Sequence, residues 1–353
     1  MPVLLNRERL LVKLQSVMPG LSVKPTTLQS DCFVFSGGEV ITFNDEISCR
    51  CPIELPPDFE GAVPADPILK ILKDMPEEDL ELRVHKGQLA IIGKGRILEL
   101  IKQEEINLNL DLIEPPEPKD WKKLPPEFGE AVRMVEGCAG KGVLDFVNVH
   151  PKWLEATNTY QAARYKLETN LPEATLVKRA NLAHVAVLGM SRVCLTENWI
   201  HFKNPNKLVF SCRRWSSQWD EVSRNISMSL KPSDKHVVIA MPKWMRDAAK
   251  RAEKVLNNDD KYIHVELAKG YGLIRGVGAV AKYRERKKVG YAGKQLDFTI
   301  PPELFGELIE RHNEFMLDTE QEALRVTLGS YRYVTTLGKA GVNGEEGHDQ
   351  EAD

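Results

Sequence analysis

The feature that most constrains this chain is a spacing that recurs along it. Ile41-Thr-Phe-Asn44 lines up with Glu155-Ala-Thr-Asn158, and Gly61-Ala-Val-Pro-Ala65 with Thr175-Leu-Val-Lys-Arg179; Asn44 to Asn158 and Val63 to Val177 are both separations of 114. A third copy stands at Phe298-Thr-Ile-Pro-Pro302, 123 residues beyond the second and followed by the helix-like stretch Glu303 to Arg311. Matched offsets are harder to satisfy by chance than matched composition, so they mark an internal repeat. In each copy a helix opens, short strands follow, a strand ending in Val or Ile announces a second helix, and more strands close. Proline-containing breaks at Glu114–Pro126 and Leu230–His236 separate the copies. The length of 353 residues exceeds the roughly 250 to 300 at which one core stops growing. The expectation is three tandem α+β domains at 1–116, 117–230 and 231–338, with an acidic disordered tail at 339–353.

Local patterns fill in the copies. Asp66 and Pro67 suit an N-cap and a first helical position, after which Ile68, Leu69, Leu72 and Met75 share one helix face and Lys70 and Lys73 the other. Leu80–Val84, a Lys86-Gly87 turn and Gln88–Ile92 form a hairpin, which Tyr262–Leu267 echoes in the third body. Cys49 and Cys51 fall on one face of a strand, and none of the six cysteines makes a C-x-x-C pair, so buried free thiols are expected.

Catalytic signatures are sparse. Gly137-Cys-Ala-Gly-Lys-Gly142 fails the phosphate-loop pattern at both ends, and Gly276-Val-Gly278 lacks the third glycine of a dinucleotide fingerprint, reading better as a strand bend. His184, placed on one helix with Lys178 and Arg179, has no carboxylate or nucleophile beside it and reads as solvated. No pair of histidines has metal-ligand spacing, no G-x-S-x-G elbow occurs, and no apolar run reaches a membrane span. The expectation is a cytoplasmic protein with no catalytic residue, no metal and no cofactor.

The residues that stand out are cations on helices. From Pro242 to Leu256, Trp244, Met245, Ala248, Ala249 and Ala252 project to one side, Lys243, Arg246, Lys250 and Lys254 to the other, and Arg251 to the border. Leu10, Leu14, Val17 and Met18 likewise oppose Arg9 and Lys13 on the first helix, with Lys24 just beyond; Arg133, Lys141, Lys178 and Arg179 take comparable places in the second body. Glu303, Glu307 and Glu310 interrupt the pattern on the last helix. The net charge is −3, but five of the 51 acidic residues lie in Ala340–Asp353, leaving 46 against 48 basic in the body. Basic helices on a near-neutral body suit sequence-independent contact with a phosphate backbone, and no base-reading module is present.

In the order of its local patterns the sequence resembles the bacterial DNA polymerase III beta subunits, the replication sliding clamps, over roughly residues 5 to 337. Val23-Lys-Pro-Thr26 is similar to the family's turn after its first helix, Leu154–Ala162 to its Val-Ala-Thr-Asp strand, Arg251-Ala252 to its third-domain helix, and Tyr333-Val334 to its closing strand. The resemblance implies a clamp fold: helices lining a pore, sheets forming an outer shell, and two protomers closing head to tail around double-stranded DNA. It implies phosphate contacts from Arg9, Lys13, Lys24, Lys70, Lys73, Arg133, Lys141, Lys178, Arg179, Lys243, Arg246, Lys250, Arg251 and Lys254. It further implies a pocket for peptides of the polymerase and clamp loader at Leu144, Thr157, Thr159, Tyr160, Gln161, Trp219, Arg224, Val334, Thr335, Thr336 and Leu337. Gly142, Val143 and Gln161 depart from the pattern, as does the ending Thr336-Leu337-Gly338, and these departures mark a divergent member of the kind a phage or mobile element encodes. Two readings from other classes compete: an enzyme with a composite acidic site drawing on Asp45 and Asp111, and a ring-shaped scaffold around something other than DNA.

Overall fold

The computed structural model of the chain describes residues 2–338 apart from 26, 57–58, 86, 115, 217 and 258–260. The acidic tail at 339–353, Thr26 of the first turn and Lys86 of the first hairpin therefore lie outside the described residues. The chain divides into two compact units, Met1–Ala156 with Tyr165–Trp219, and Thr157–Arg164 with Asp220 onward.

The sequence repeat is a repeat of backbone conformation. Strands β5 (Gly61–Pro64), β13 (Thr175–Lys178) and β21 (Leu296–Ile300) run directly into helices α2 (Ala65–Asp74), α4 (Arg179–Val187) and α7 (Pro302–Arg311). The junction residues Pro64, Lys178 and Pro301 have φ of −53°, −54° and −59° with ψ of 129°, 134° and 131°. Proline is preset for that φ, and Lys178 reaches it without a ring. Just ahead of these junctions, Val63, Val177 and Ile300 are buried. Helix α2 thus starts at Ala65 without a side-chain cap, and Asp66, expected as the N-cap, instead pairs with Lys70 one turn on at 2.6 Å.

The Asn44/Asn158 match has an equally local cause. The Asn44 Oδ1 accepts hydrogen bonds from the backbone N–H of Glu46 and Ile47 at 3.2 and 2.8 Å; the Asn158 Oδ1 accepts from Tyr160 and Gln161 at 3.1 and 2.8 Å. The following residues, Asp45 and Thr159, have φ of 69° and 77°. One asparagine-pinned turn is made twice, 114 positions apart.

In the first unit, β1 (Val3–Asn6), β6 (Asp79–His85), β7 (Gln88–Gly93) and β8 (Arg96–Leu100) form an antiparallel sheet in that order. A second run orders β5, β2 (Cys32–Ser36), β3 (Glu39–Phe43) and β4 (Ile47–Pro52) and continues onto β16 (Val209–Trp215). From β16 one branch leads to β15 (Trp199–Lys203), β14 (Arg192–Leu195) and β9 (Lys122–Lys123), the other to β13, β10 (Phe146–His150) and β11 (Trp153–Thr157). In the second unit, β17 (His236–Ala240), β22 (Glu314–Asp318), β23 (Ala323–Leu328) and β24 (Tyr331–Thr336) are followed by β12 (Gln161–Lys166), of which residues 161–164 belong to this unit. Its other sheet orders β20 (Lys282–Lys288), β19 (Tyr271–Val277), β18 (Ile263–Ala268) and β21.

Helices pack in pairs, α1 (Arg7–Ser16) on α2, α3 (Phe128–Val135) on α4, and α6 (Trp244–Glu253) on α7, with α5 (Asp220–Ser229) between the last two copies. Their apolar stripes bury as patterned, Leu10 and Leu14 in α1 and Met245, Ala248, Ala249 and Ala252 in α6, although Met18 is 40% exposed. Gly276 and Gly278 are not a strand bend. A Cβ on Gly276 would lie 2.5 Å from the Ala252 carbonyl oxygen, and one on Gly278 1.7 Å from that of Val255, so glycine lets α6 end against β19. All six cysteines are free and buried, and burial pushes the Cys49 thiol up to about 12. His184 differs from expectation: half-buried, it packs its ring 6.0 Å from Phe210, and burial lowers its pKa. It shares α4 with Arg179, whereas Lys178 ends β13.

Candidate functional site

The helix cations separate into free and engaged groups. In the first unit Arg9, Lys24, Lys73 and Lys141 are exposed, Lys13 is half-buried, and none makes an ion pair among the described residues. Arg133 is exposed and donates to the Ala186 carbonyl at 2.9 Å, which ties α3 to α4 and leaves its charge unneutralised. Lys70 is held by Asp66, Arg179 lies 3.7 Å from Asp145, and Lys178 bonds Glu46 with its ammonium 6.0 Å from the Trp215 ring. In the second unit Lys243, Lys250 and Lys254 are exposed and make no ion pair among the described residues.

Two of the α6 cations face elsewhere. Arg246 bridges Asp247 at 3.1 Å and Glu310 of α7 at 3.4 Å, so it is a strut between helices and not part of a solvated face. Arg251 reaches β20, donating to the Tyr283 hydroxyl at 2.8 Å and to the Glu285 carboxylate at 2.7 Å. Those hydrogen bonds raise the guanidinium pKa further; burial alone would raise that of Glu285, but donors from Lys287, Tyr283 and Arg251 hold it down at about 2. The projection placed Arg251 on the border correctly, but no helical periodicity reveals the strand opposite.

The pocket candidates also divide. In the second unit the Asn158 turn presents Thr159 and Tyr160, the latter 69% exposed, next to the end of β24. The Thr336 N–H donates to the Tyr160 carbonyl at 2.9 Å, the Tyr333 hydroxyl donates to Gln161 Oε1 at 2.9 Å, and the Thr157 hydroxyl donates to the Gln161 carbonyl at 2.7 Å. Val334, Thr335 and Leu337 are buried beneath this surface, while Thr336 and Arg224 of α5 are exposed. In the first unit Leu144 is half-buried, and Trp219 is only 6% exposed. The Trp219 indole N–H donates to Glu155 Oε1 at 3.2 Å, and Asn148 donates to the same oxygen at 2.9 Å. Trp219 is thus a core residue with a buried polar partner, which its place among pocket candidates did not anticipate. Glu155 was read only as part of a repeat, and a carboxylate at alternating strand spacing among apolar residues was the available signal.

Nothing favours chemistry at Asp45 or Asp111. Asp45 forms the tip of a hairpin and Asp111 lies in a short 3-10 turn, and among the described residues no group of three or more His, Cys, Asp or Glu is arranged to hold a metal ion. No helix of the described residues is long and apolar enough to cross a membrane.

No family model matches this sequence, and neither does any curated protein. Solved structures do match. The DNA polymerase III beta subunit of Thermotoga maritima is 15% identical with a TM-score of 0.80, covering 96% of this chain and 100% of that one. The DNA polymerase sliding clamp of Bacillus subtilis is 16% identical with a TM-score of 0.76, covering 97% and 100%. The DnaN sliding clamp of Pseudomonas aeruginosa bound to griselimycin is 15% identical with a TM-score of 0.79, covering 96% and 99%. The chain therefore has the sliding-clamp fold. Within that fold it is similar, end to end, to bacterial DNA polymerase III beta subunits at low sequence identity.

Proposed function

We propose that this protein is a DNA sliding clamp, a non-catalytic processivity factor that encloses duplex DNA as a head-to-tail homodimer in the cytoplasm. The strands supply the supporting observation. Among the described residues the 24 strands fall into three sets of eight, β1–β8, β9–β16 and β17–β24, each with a helix after its first and fifth strand. In the first unit β4, the fourth strand of its set, pairs with β16, the eighth of the next. In the second unit β12, the fourth of its set, lies beside β24, the eighth of the next. The same rule leaves β20 and β8 over, and each is the end strand of its sheet. Joining β20 of one protomer to β8 of another repeats the contact a third time and closes the ring with two chains, consistent with cyclic symmetry.

The three clamp domains are those of the strand sets, and the free cations Arg9, Lys13, Lys24, Lys73, Arg133, Lys141, Lys243, Lys250 and Lys254 make the DNA contacts. Weak, sequence-independent phosphate contacts permit sliding, and enclosure prevents escape. The surface of Tyr160, Thr336 and Arg224 takes a short peptide from the polymerase or loader. Light scattering on wild type and Ile97→Lys tests closure: Ile97 is 61% exposed on β8, and a lysine there faces the cation-rich β20. The expected result is a dimer that the substitution turns into a folded monomer. A monomeric wild type contradicts it.

A further inference from the structure

One face of the first unit carries a row of cations that the clamp reading does not use. The antiparallel registers place Arg50 opposite Val209, Val209 opposite Lys203, Lys203 opposite Arg192, and Arg192 opposite Lys123. Directly opposed residues point to the same face, so four cations stand in one line across β4, β16, β15, β14 and β9. The line from Arg50 to Arg192 spans about 14 Å at the usual strand separation. Like charges opposite each other destabilise a sheet, yet Arg50, Arg192 and Lys203 of the row, and Lys207 on the turn between β15 and β16, make no ion pair among the described residues.

These cations line a cleft of about 800 Å³, within the range of small-ligand pockets, with Glu39 its one carboxylate among the described residues. Trp121 forms a wall, with the Lys203 ammonium 5.7 Å from its ring centroid. The neighbouring row of the floor is His201 opposite Ser211, with imidazole Nδ1 and hydroxyl 2.7 Å apart. The residues between, Phe202 and Phe210, point the other way and pack on Phe128 of α3 and His184 of α4. The cleft therefore opens on the sheet face away from these helices.

We propose that this cleft binds a nucleoside phosphate, its phosphates on the Arg50–Lys203–Arg192 row and its base against Trp121. Arginine forks and lysine point charges suit phosphate oxygens, and a tryptophan beside a cationic groove is a platform for a base. The ligand is either a free nucleotide or a nucleotide within a single strand; both present this chemistry. The inference does not rest on the clamp reading, because the cleft lies on the opposite sheet face from the helices assigned to duplex DNA.

The test is calorimetric titration of the full chain with ATP, with single-stranded dT10 and with a hexaglutamate peptide, on wild type and on Lys203→Gln/Arg192→Gln. The expected result is binding of ATP or dT10 that weakens about ten-fold for each lost charged contact. ATP binding identifies a free nucleotide as ligand, and binding of dT10 alone identifies a strand. Photolabelling of the wild type with 8-azido-ATP, mapped by mass spectrometry, is expected to mark peptides containing Trp121 or Lys203, and it needs no variant to fold. Absence of binding by both ATP and dT10, labelling elsewhere, or hexaglutamate binding as tightly with the same loss in the variant would overturn the assignment. Dimer mass measured in parallel keeps failure of this site distinct from failure of the clamp reading.

Discussion

At the scale of single residues, buried titratable groups set the pH dependence of stability. His201 is fully buried, and burial lowers its pKa to about 4; the nearby Glu114 carboxylate opposes this and Arg50 reinforces it. The unfolded chain takes up a proton on this histidine near pH 6.5, so between about 6.5 and 4 the unfolded state binds more protons and stability falls as pH falls. The loss is about 3 kcal/mol by pH 4. Urea unfolding across this range is expected to show it, and His201→Gln is expected to flatten the slope. Asp318 has a different balance. Burial would raise its pKa, but hydrogen bonds from Ser233 and Gln321 and the charge of Arg325 at 2.9 Å hold it at about 2, so its contribution is complete above about pH 4 and lost as pH falls through 2. Asp318→Ala strands the buried Arg325 and is expected to cost about 3–5 kcal/mol in chemical denaturation. Trp219→Ala is expected to lose about 3–5 kcal/mol and to remove one of the donors to Glu155, so it reports on the core. Tyr160→Ala, at an exposed tip, is expected to leave stability within about 0.5 kcal/mol while weakening a fluorescent polymerase-derived peptide in anisotropy.

At the scale of elements, sequence spacing showed what is periodic and local. The Asn44 and Asn158 turns, the strand-to-helix junctions at Val63, Val177 and Ile300, and the buried stripe of α6 are all legible because each needs only a few neighbouring residues. What failed to show depends on chain brought from far away. Lys178 finds Glu46 across 132 positions, Arg251 finds Glu285 on a strand, and Gly276 is dictated by the end of α6. A helical projection says which side of a helix is polar, but not whether a carboxylate waits there. Probes of DNA contact therefore belong at Lys250 and Lys254 and not at Arg246. Charge reversal of both lysines is expected to weaken duplex binding and to reduce the slope of log affinity against log salt by about 2, with the unfolding midpoint unchanged. An unaltered slope would remove α6 from the DNA-facing set. Gly278→Ala forces α6 off its strand and is expected to destabilise by at least about 1–3 kcal/mol.

At the scale of the whole molecule, the order of the strands carries the clamp reading. Among the described residues, three sets of eight are joined twice by the fourth strand of one set and the eighth of the next, which leaves β20 and β8 at sheet ends; the proposed ring pairs these two between copies. That account makes enclosure, not affinity, the source of retention on DNA. The most direct measurement loads the purified protein with a loader, or by transient ring opening, onto nicked circular DNA and onto the same DNA linearised, then follows retention through a salt wash. The account predicts a dimer that stays on the circle and runs off the linear ends. Equal salt-sensitive loss from both forms, once loading is demonstrated, would contradict it and leave ordinary surface binding.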